Sequence, residues 1–202
     1  MSTRGFSGRR PDDDVARRLP PGQYETRDFP VLAKGPTPRV DRAAWKFTIH
    51  DGPRPVASWT WAEFGALPQT TWRGDIHCVT KWSKLDTTWS GVTVDDLLQA
   101  AGIAPPTAFL LAESHDDYDT NLPVADLVGG QAMVATHFES APLEPEHGGP
   151  ARLLVPHLYF WKSAKWIKGL RFTARDEAGF WELRGYHMYG DPWREQRYTN
   201  DP

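Results

Sequence analysis

The stretch Gly74-Asp75-Ile76-His77-Cys78-Val79-Thr80-Lys81-Trp82-Ser83 is the one around which the chain is organised, and it holds the only cysteine. Thr71 to Val79 reads as a strand running toward a buried position. Thr80 to Trp89 mixes Lys, Trp, Ser and Thr without a clean period, the pattern of an irregular loop. A strand that delivers one thiol to the head of a loop is a place to hold a ligand. The competing reading is that an isolated cysteine is usually a small core hydrophobe. His77 makes a poor partner for a nucleophilic pair with Cys78, because neighbours on a strand point to opposite faces.

Working outward, Trp45 to His50 alternates apolar and polar residues as a half-buried strand does, and Asp51-Gly52 is a turn signal. Ser58 to Leu67 predicts a short helix with Thr60 as N-cap and Glu63 completing a capping box. Thr93 caps a second helix, with Val94, Leu97, Leu98 and Ala101 on one face and Gly102 as the stop. Ala108 to Ala112 predicts a strand, Glu113 to Asn121 a polar loop, and Pro123 to Val128 a helical turn. Ala132 to Phe138, Arg152 to Val155, Trp166 to Ala174 and Phe180 to Arg184 predict further strands. Strands and short helices in mixed order imply an α+β fold with a β-rich core. Residues 1–23, polar and Pro-rich, predict a flexible arm or an extended segment laid on a domain of residues 24–202; Tyr24 to Pro38 predicts extended chain packed on something.

The composition excludes several classes. The 202 residues carry a formal net charge of -3, so no electrostatic case for nucleic acid exists. No run approaches the roughly 20 apolar residues of a membrane span. Arg9-Arg10 hints at a twin-arginine export signal, but Asp12, Asp13 and Asp14 stand where its apolar core belongs, and a lone cysteine fits a reducing compartment; the expectation is a cytoplasmic protein. Ten tryptophans keep a non-catalytic Trp-rich binding module among the readings. His115, Asp116, Asp117 and Asp119 read as a solvated acidic loop in preference to a cation site. For His157, Tyr159 and His187, pocket and surface positions both stay open.

A second stretch raises the standing of Cys78. His147-Gly148-Gly149-Pro150-Ala151-Arg152 leads into an apolar strand, and Phe160-Trp161-Lys162-Ser163-Ala164-Lys165-Trp166 follows. Glycines let backbone approach a ligand closely. Arg152, opening an apolar strand, needs an anionic partner. Lys162, Ser163 and Lys165 on a tight turn, with backbone N–H groups beside them, suit a phosphate.

Cys78 to Ser83, then Gly91-Val92 and Leu97-Leu98, then His147 to Pro156 and Lys162 to Trp166, together resemble the molybdopterin-binding domain of the sulfite oxidase family. That family includes the catalytic subunit of bacterial methionine sulfoxide reductase. The resemblance runs from about Phe29 to the C-terminus. It implies a molybdenum-molybdopterin cofactor whose dithiolene supplies two sulfurs, so that one protein thiolate, Cys78, completes the set; a soft thiolate suits such a metal. It further implies pterin contacts from Ser114, His147 and Arg152, a phosphate grip from Ser163, Ala164 and Lys165, and a covering role for Phe29 to Leu32. Trp181-Glu182-Leu183-Arg184-Gly185-Tyr186 is similar to the segment that sets a tyrosine beside the metal, which makes Tyr186 a substrate-side donor; the bland reading packs it on Trp181.

By the same resemblance the chain is an oxidoreductase that moves an oxygen atom to or from a small-molecule substrate: sulfite, an S-oxide or an N-oxide. Sulfite oxidases carry an arginine shortly after the metal-binding cysteine. Here Lys81, Ser83 and Lys84 stand instead, and Lys81 and Lys84 are the substrate-side candidates, without arginine's bidentate fork. The family's haem and dimerisation domains have no counterpart, which implies a separate electron-transfer partner, a cytochrome or other redox protein. A family member without its cofactor, serving as an interaction protein, is the remaining alternative.

Overall fold

The computed structural model describes residues 13–202. Helix α1 (Asp13–Arg18) and strand β1 (Tyr24–Glu25) lead into β2 (Lys46–Asp51), β3 (Arg54–Thr60), α2 (Trp61–Gly65), β4 (Thr70–His77), β5 (Trp82–Thr93) and α3 (Val94–Ala101). The second half carries β6 (Phe109–Ser114), β7 (Asp119–Pro123), β8 (Met133–Phe138), β9 (Ala141–Pro142), β10 (Arg152–Leu154) and β11 (Ile167–Thr173). The architecture is α+β with a β-rich core.

Two sheets make the scaffold. One runs β1-β5-β8-β10, with β4 on β5 and β9 on β8; the other runs β3-β2-β11-β6-β7. The alternation read in Trp45 to His50 places Phe47 and Ile49 inside, and β11, between β2 and β6, buries Leu170 and Phe172. The main core lies between the sheets, joining these residues to Val92, Val134 and Leu153 of the first sheet and to Leu97 and Leu98 of α3. Both caps form as their residues require. Thr60 accepts from the Glu63 N–H while Glu63 takes the Thr60 N–H, and Thr93 caps α3, which Gly102 ends in the left-handed region at φ 65°.

Three local expectations fail. Most of Thr80 to Trp89 is not loop but β5, a strand of 12 residues that pairs with β1, β4 and β8 in turn. Its register shifts on both flanks erase the period of two. Asp119 to Asn121, expected in a loop, opens strand β7; Thr120 and Asn121 are buried there and bonded to Glu182 and Asp176. Phe180 to Arg184 is not a strand: Glu182–Arg184 is a 3-10 turn ended by Gly185 at φ 92°.

Of the N-terminal segment expected as an arm, residues 1–12 lie outside the described residues. From Asp13 onward the chain is laid on the domain. Arg18 forks onto Asp75 and Asp86, and Gln23 donates to the Cys78 carbonyl at 3.0 Å. The β1 strand pairs in parallel with Trp82 and Ser83. This strap brings Phe29 to Lys34 over the end of the first sheet.

Candidate functional site

Cys78 opens the tight hairpin turn between β4 and β5. Its N–H donates to the Trp82 carbonyl at 2.8 Å, and the Lys81 N–H donates back to the Cys78 carbonyl at 3.0 Å. Lys81 takes φ 76°, an uncommon value for a residue with a side chain, to close the turn. The thiol is 7% exposed. Burial raises its pKa; the Thr80 hydroxyl, 3.2 Å from Sγ, and the backbone N–H groups of Thr80 and Val79 work against that rise and favour the thiolate. His77 points elsewhere, to the Ser83 hydroxyl at 2.8 Å.

Arg152, first residue of β10, is 1% exposed. Its guanidinium lies 4.0 Å from the centre of the Phe160 ring and donates to the carbonyls of His147 (2.8 Å) and Ser163 (2.7 Å). Among the described residues no carboxylate pairs with it, and burial brings its pKa down to about 9. Lys165 is brought down to about 7, first by burial and then by Arg152. Its ammonium donates to the Glu146 carbonyl at 2.6 Å. The N–H groups of Ala164 and Lys165 meet no acceptor among the described residues. The Ser163 hydroxyl accepts from the Val155 N–H at 2.9 Å, so it closes the loop that presents this corner.

These groups share one cavity of about 280 Å³. Cys78 stands on its wall with Arg152, Ser163, Ala164, Lys165 and Tyr186. The strap residues Phe29 to Lys34 form another side, and Trp161, Trp181 and Tyr118 complete it. Lys34 approaches Asp116 across this wall at 4.0 Å. Phe29 stacks on the His147 ring, centroids 3.9 Å apart and planes within 4°. His147 is drawn down to about 4 by burial, then by Lys165 and Arg152, and its Nδ1 is buried without a partner.

Six sequence candidates therefore meet at the cavity, and four do not line it. His147 adjoins it beneath Phe29. Ser114 is the last residue of β6, not part of a loop; it is fully buried, with its hydroxyl unpartnered. Lys81 is exposed on the hairpin, and the Lys84 ammonium donates to the Arg27 carbonyl at 2.6 Å; neither lines the cavity. Lys162 turns away from the phosphate-suited corner toward Glu182. His157, Tyr159 and His187 are not on the wall. Tyr186 meets both of its readings: it packs on Trp181, centroids 5.1 Å apart, and lines the cavity. Sequence reasoning missed Lys34, Asp116, Tyr118 and Trp161 as wall residues. Of the ten tryptophans only Trp193 is exposed, which removes the apolar face that a Trp-rich sugar-binding module needs.

A two-sheet α+β scaffold enclosing a thiol at one point and uncompensated cations at another defines a domain built around an anionic organic ligand. The chain belongs to the oxidoreductase molybdopterin binding domain family, whose model matches residues 34–181. It is 39% identical over 197 residues to "Uncharacterized oxidoreductase YuiH" of Bacillus subtilis, covering 97% of this chain and 100% of that one. It is 28% identical over 173 residues to "Putative protein-methionine-sulfoxide reductase subunit YedZ1" of Azospira oryzae, covering 84% of this chain and 66% of that protein. Among solved structures, the sulfane dehydrogenase SoxCD of Paracoccus pantotrophus shares the fold, with a TM-score of 0.61 over 69% of this chain and 40% of that one, at 21% identity. The protein is thus an oxidoreductase of the sulfite oxidase type, and its cofactor is molybdenum-molybdopterin. No helix among the described residues is long and apolar enough to cross a membrane.

The residues present fit that group. A thiol approached by N–H donors suits a metal already bound by sulfur, and a buried Arg152 and half-buried Lys165 beside free backbone N–H groups suit a phosphate. The orphaned Nδ1 of His147 and hydroxyl of Ser114 are polar groups left for a ligand or water to satisfy.

Proposed function

We propose that this protein transfers an oxygen atom to or from a small neutral S-oxide or N-oxide, exchanging two electrons with a separate redox protein. When bound, the cofactor supplies the two-electron and oxygen-transfer chemistry. Cys78 is the protein's thiolate ligand. Arg152, Lys165 and the N–H groups of Ala164 and Lys165 hold the phosphate, and His147 and Ser114 serve the pterin. Tyr186 donates its phenol proton as a hydrogen bond on the substrate side, while Trp161 and Trp181 exclude water there. The observation that carries the reading is the single cavity holding Cys78 and two cations that meet no carboxylate partner among the described residues.

A neutral oxide is favoured over sulfite by the wall itself. Beyond the Arg152–Lys165 corner its one cation is Lys34, already facing Asp116, and the remaining surface is largely aromatic. An anion such as sulfite requires an unpaired cation at the reacting end. The word "subunit" in the name of the Azospira relative supports a separate electron partner.

The test is to express the chain in a host that makes the pterin and to measure molybdenum and pterin per chain. Reduction of dimethyl sulfoxide, methionine sulfoxide and trimethylamine N-oxide is then assayed with a reduced dye, and sulfite oxidation with an oxidised one. Stoichiometric metal that disappears in Cys78→Ala, with turnover of a neutral oxide above that of sulfite, is expected. Metal-free protein from such a host refutes the reading, and sulfite as the preferred substrate refutes its substrate half.

A further inference from the structure

Lys162 and Glu182 form an ion pair, Nζ to Oε1 2.7 Å, with both side chains at 0% exposure. Burial pulls the lysine down from its ordinary value and Glu182 pulls it back. Such a pair is a poor source of stability, because taking two charges out of water offsets most of their attraction. The pair is also unevenly satisfied. Glu182 Oε1 accepts from Lys162, from the Thr120 hydroxyl (2.9 Å) and from the Trp161 indole N–H (2.9 Å), while its Oε2 is buried with no partner. Stability alone leaves this arrangement unexplained.

What the pair holds is one side of the cavity. The Lys162 ammonium donates to the Met188 carbonyl at 2.7 Å and to Asn121 Oδ1 at 2.6 Å as well as meeting Glu182. One cation thus grips the chain at residues 182 and 188, on both sides of Tyr186. Glu182 in turn fixes the Trp161 indole, which meets the Tyr186 ring edge-to-face with centroids 5.1 Å apart. Trp161 is confined elsewhere too. Its carbonyl accepts from the Tyr118 hydroxyl at 2.6 Å, Tyr159 stacks on it at 5.3 Å, and a methyl group at Gly190 would run into its ring. The pair is the charged link between the turn that carries Trp161 and the segment that carries Tyr186.

We propose that Lys162 and Glu182 are positioning residues: together they set the spacing of Trp161 and Tyr186, and so the shape of the cavity wall that a substrate meets. This rests on the oxygen-transfer reading above and adds to it the residues that tune substrate choice without touching substrate.

The variant K162M/E182L replaces the pair by apolar groups of similar size, removing both buried charges together and freeing the Trp161 indole from its carboxylate partner. Label the tryptophans with 5-fluorotryptophan and assign Trp161 by comparison with W161F. In K162M/E182L the Trp161 fluorine resonance is expected to shift or broaden while molybdenum per chain stays within about twofold of the parent. The KM for the best oxide should rise at least about fivefold with kcat changed less, and the preference between a small and a bulky sulfoxide should change. E182Q keeps the shape and an acceptor oxygen, so it should move the same resonance and the same KM in the same direction but less; it decides the matter if the double variant does not fold. An unmoved Trp161 resonance, or a moved one with an unchanged KM and preference, overturns the proposal. A parent protein that turns over no oxide and no sulfite instead sinks the underlying reading, and the proposal with it.

Discussion

Arg152→Met separates a ligand-binding arginine from a structural one. The guanidinium is fully buried, and its fall from an ordinary value above 12 to about 9 is equivalent to about 5 kcal/mol working against its charge. Two hydrogen bonds to the carbonyls of His147 and Ser163 offset this by roughly 1.5–3 kcal/mol each. The terms nearly cancel, so the ligand-free Met variant should unfold within about 2 kcal/mol of the parent in urea titrations. The cofactor tells a different story. Losing one partner of a desolvated charge pair costs about 3–5 kcal/mol, or a factor of about 150 to about 5,000 in affinity. Molybdenum per chain after gel filtration should therefore collapse while the fold persists. A variant weakened by more than about 4 kcal/mol when ligand-free, which nevertheless retains full metal when made with the cofactor, would refute the argument and make Arg152 a strut.

Two further outcomes follow from the same corner. Lys165 gives up its proton near pH 7 in the free protein, so holding a phosphate requires proton uptake above that pH. Cofactor loading should weaken by up to about tenfold per pH unit from 7 to 9, and Lys165→Met should flatten that slope. The stability of the free protein should move oppositely through the same window, because the unfolded chain there binds the proton that the folded chain has lost. Phe29→Ala removes the ring stacked on His147, whose imidazole burial holds to about 4; its NMR titration midpoint should climb toward about 6.5. An unchanged midpoint would mean that the strap does not shield it.

Local chemistry was legible wherever a residue acts on its own neighbours. Thr60 with Glu63, Thr93 with Gly102, and the alternation through Phe47 and Ile49 all concern partners within a few positions. The failures have partners far away. Thr120 and Asn121 look like loop residues because Glu182 and Asp176, which satisfy them inside the protein, lie 62 and 55 residues on. Lys162 reads as a phosphate ligand beside Ser163 and Lys165 until the fold sets Glu182 against it. Cys78, Arg152 and Lys165 could be chosen because the order of motifs from Cys78 to Trp166 resembles the family; Cys78 taken alone reads as a core residue. Trp161 and Trp181 could not be separated from core aromatics, since wall and core differ only in which side of the ring faces a void; Phe29 is marked as a covering residue by the family resemblance alone.

The distribution of charge around the cavity explains why the site is built from such distant parts of the chain. Arg152 lowers the affinity of Lys165 for a proton, and among the described residues both cations donate to carbonyls and to no carboxylate, with Glu146 and Asp116 acting on Lys165 only through space. Nearby carboxylates would have been the cheaper arrangement for stability, and the cavity has one in Asp116, but it faces Lys34. Keeping the two cations unpaired preserves their full attraction for an anion that arrives later. The free protein is therefore held below its attainable stability, and an anionic ligand that binds only the folded chain raises it by mass action. On this view the strap and the Lys162–Glu182 link do complementary work. They keep the walls of a charged cavity in place before its ligand is there to neutralise it, so that binding loses little to ordering the protein.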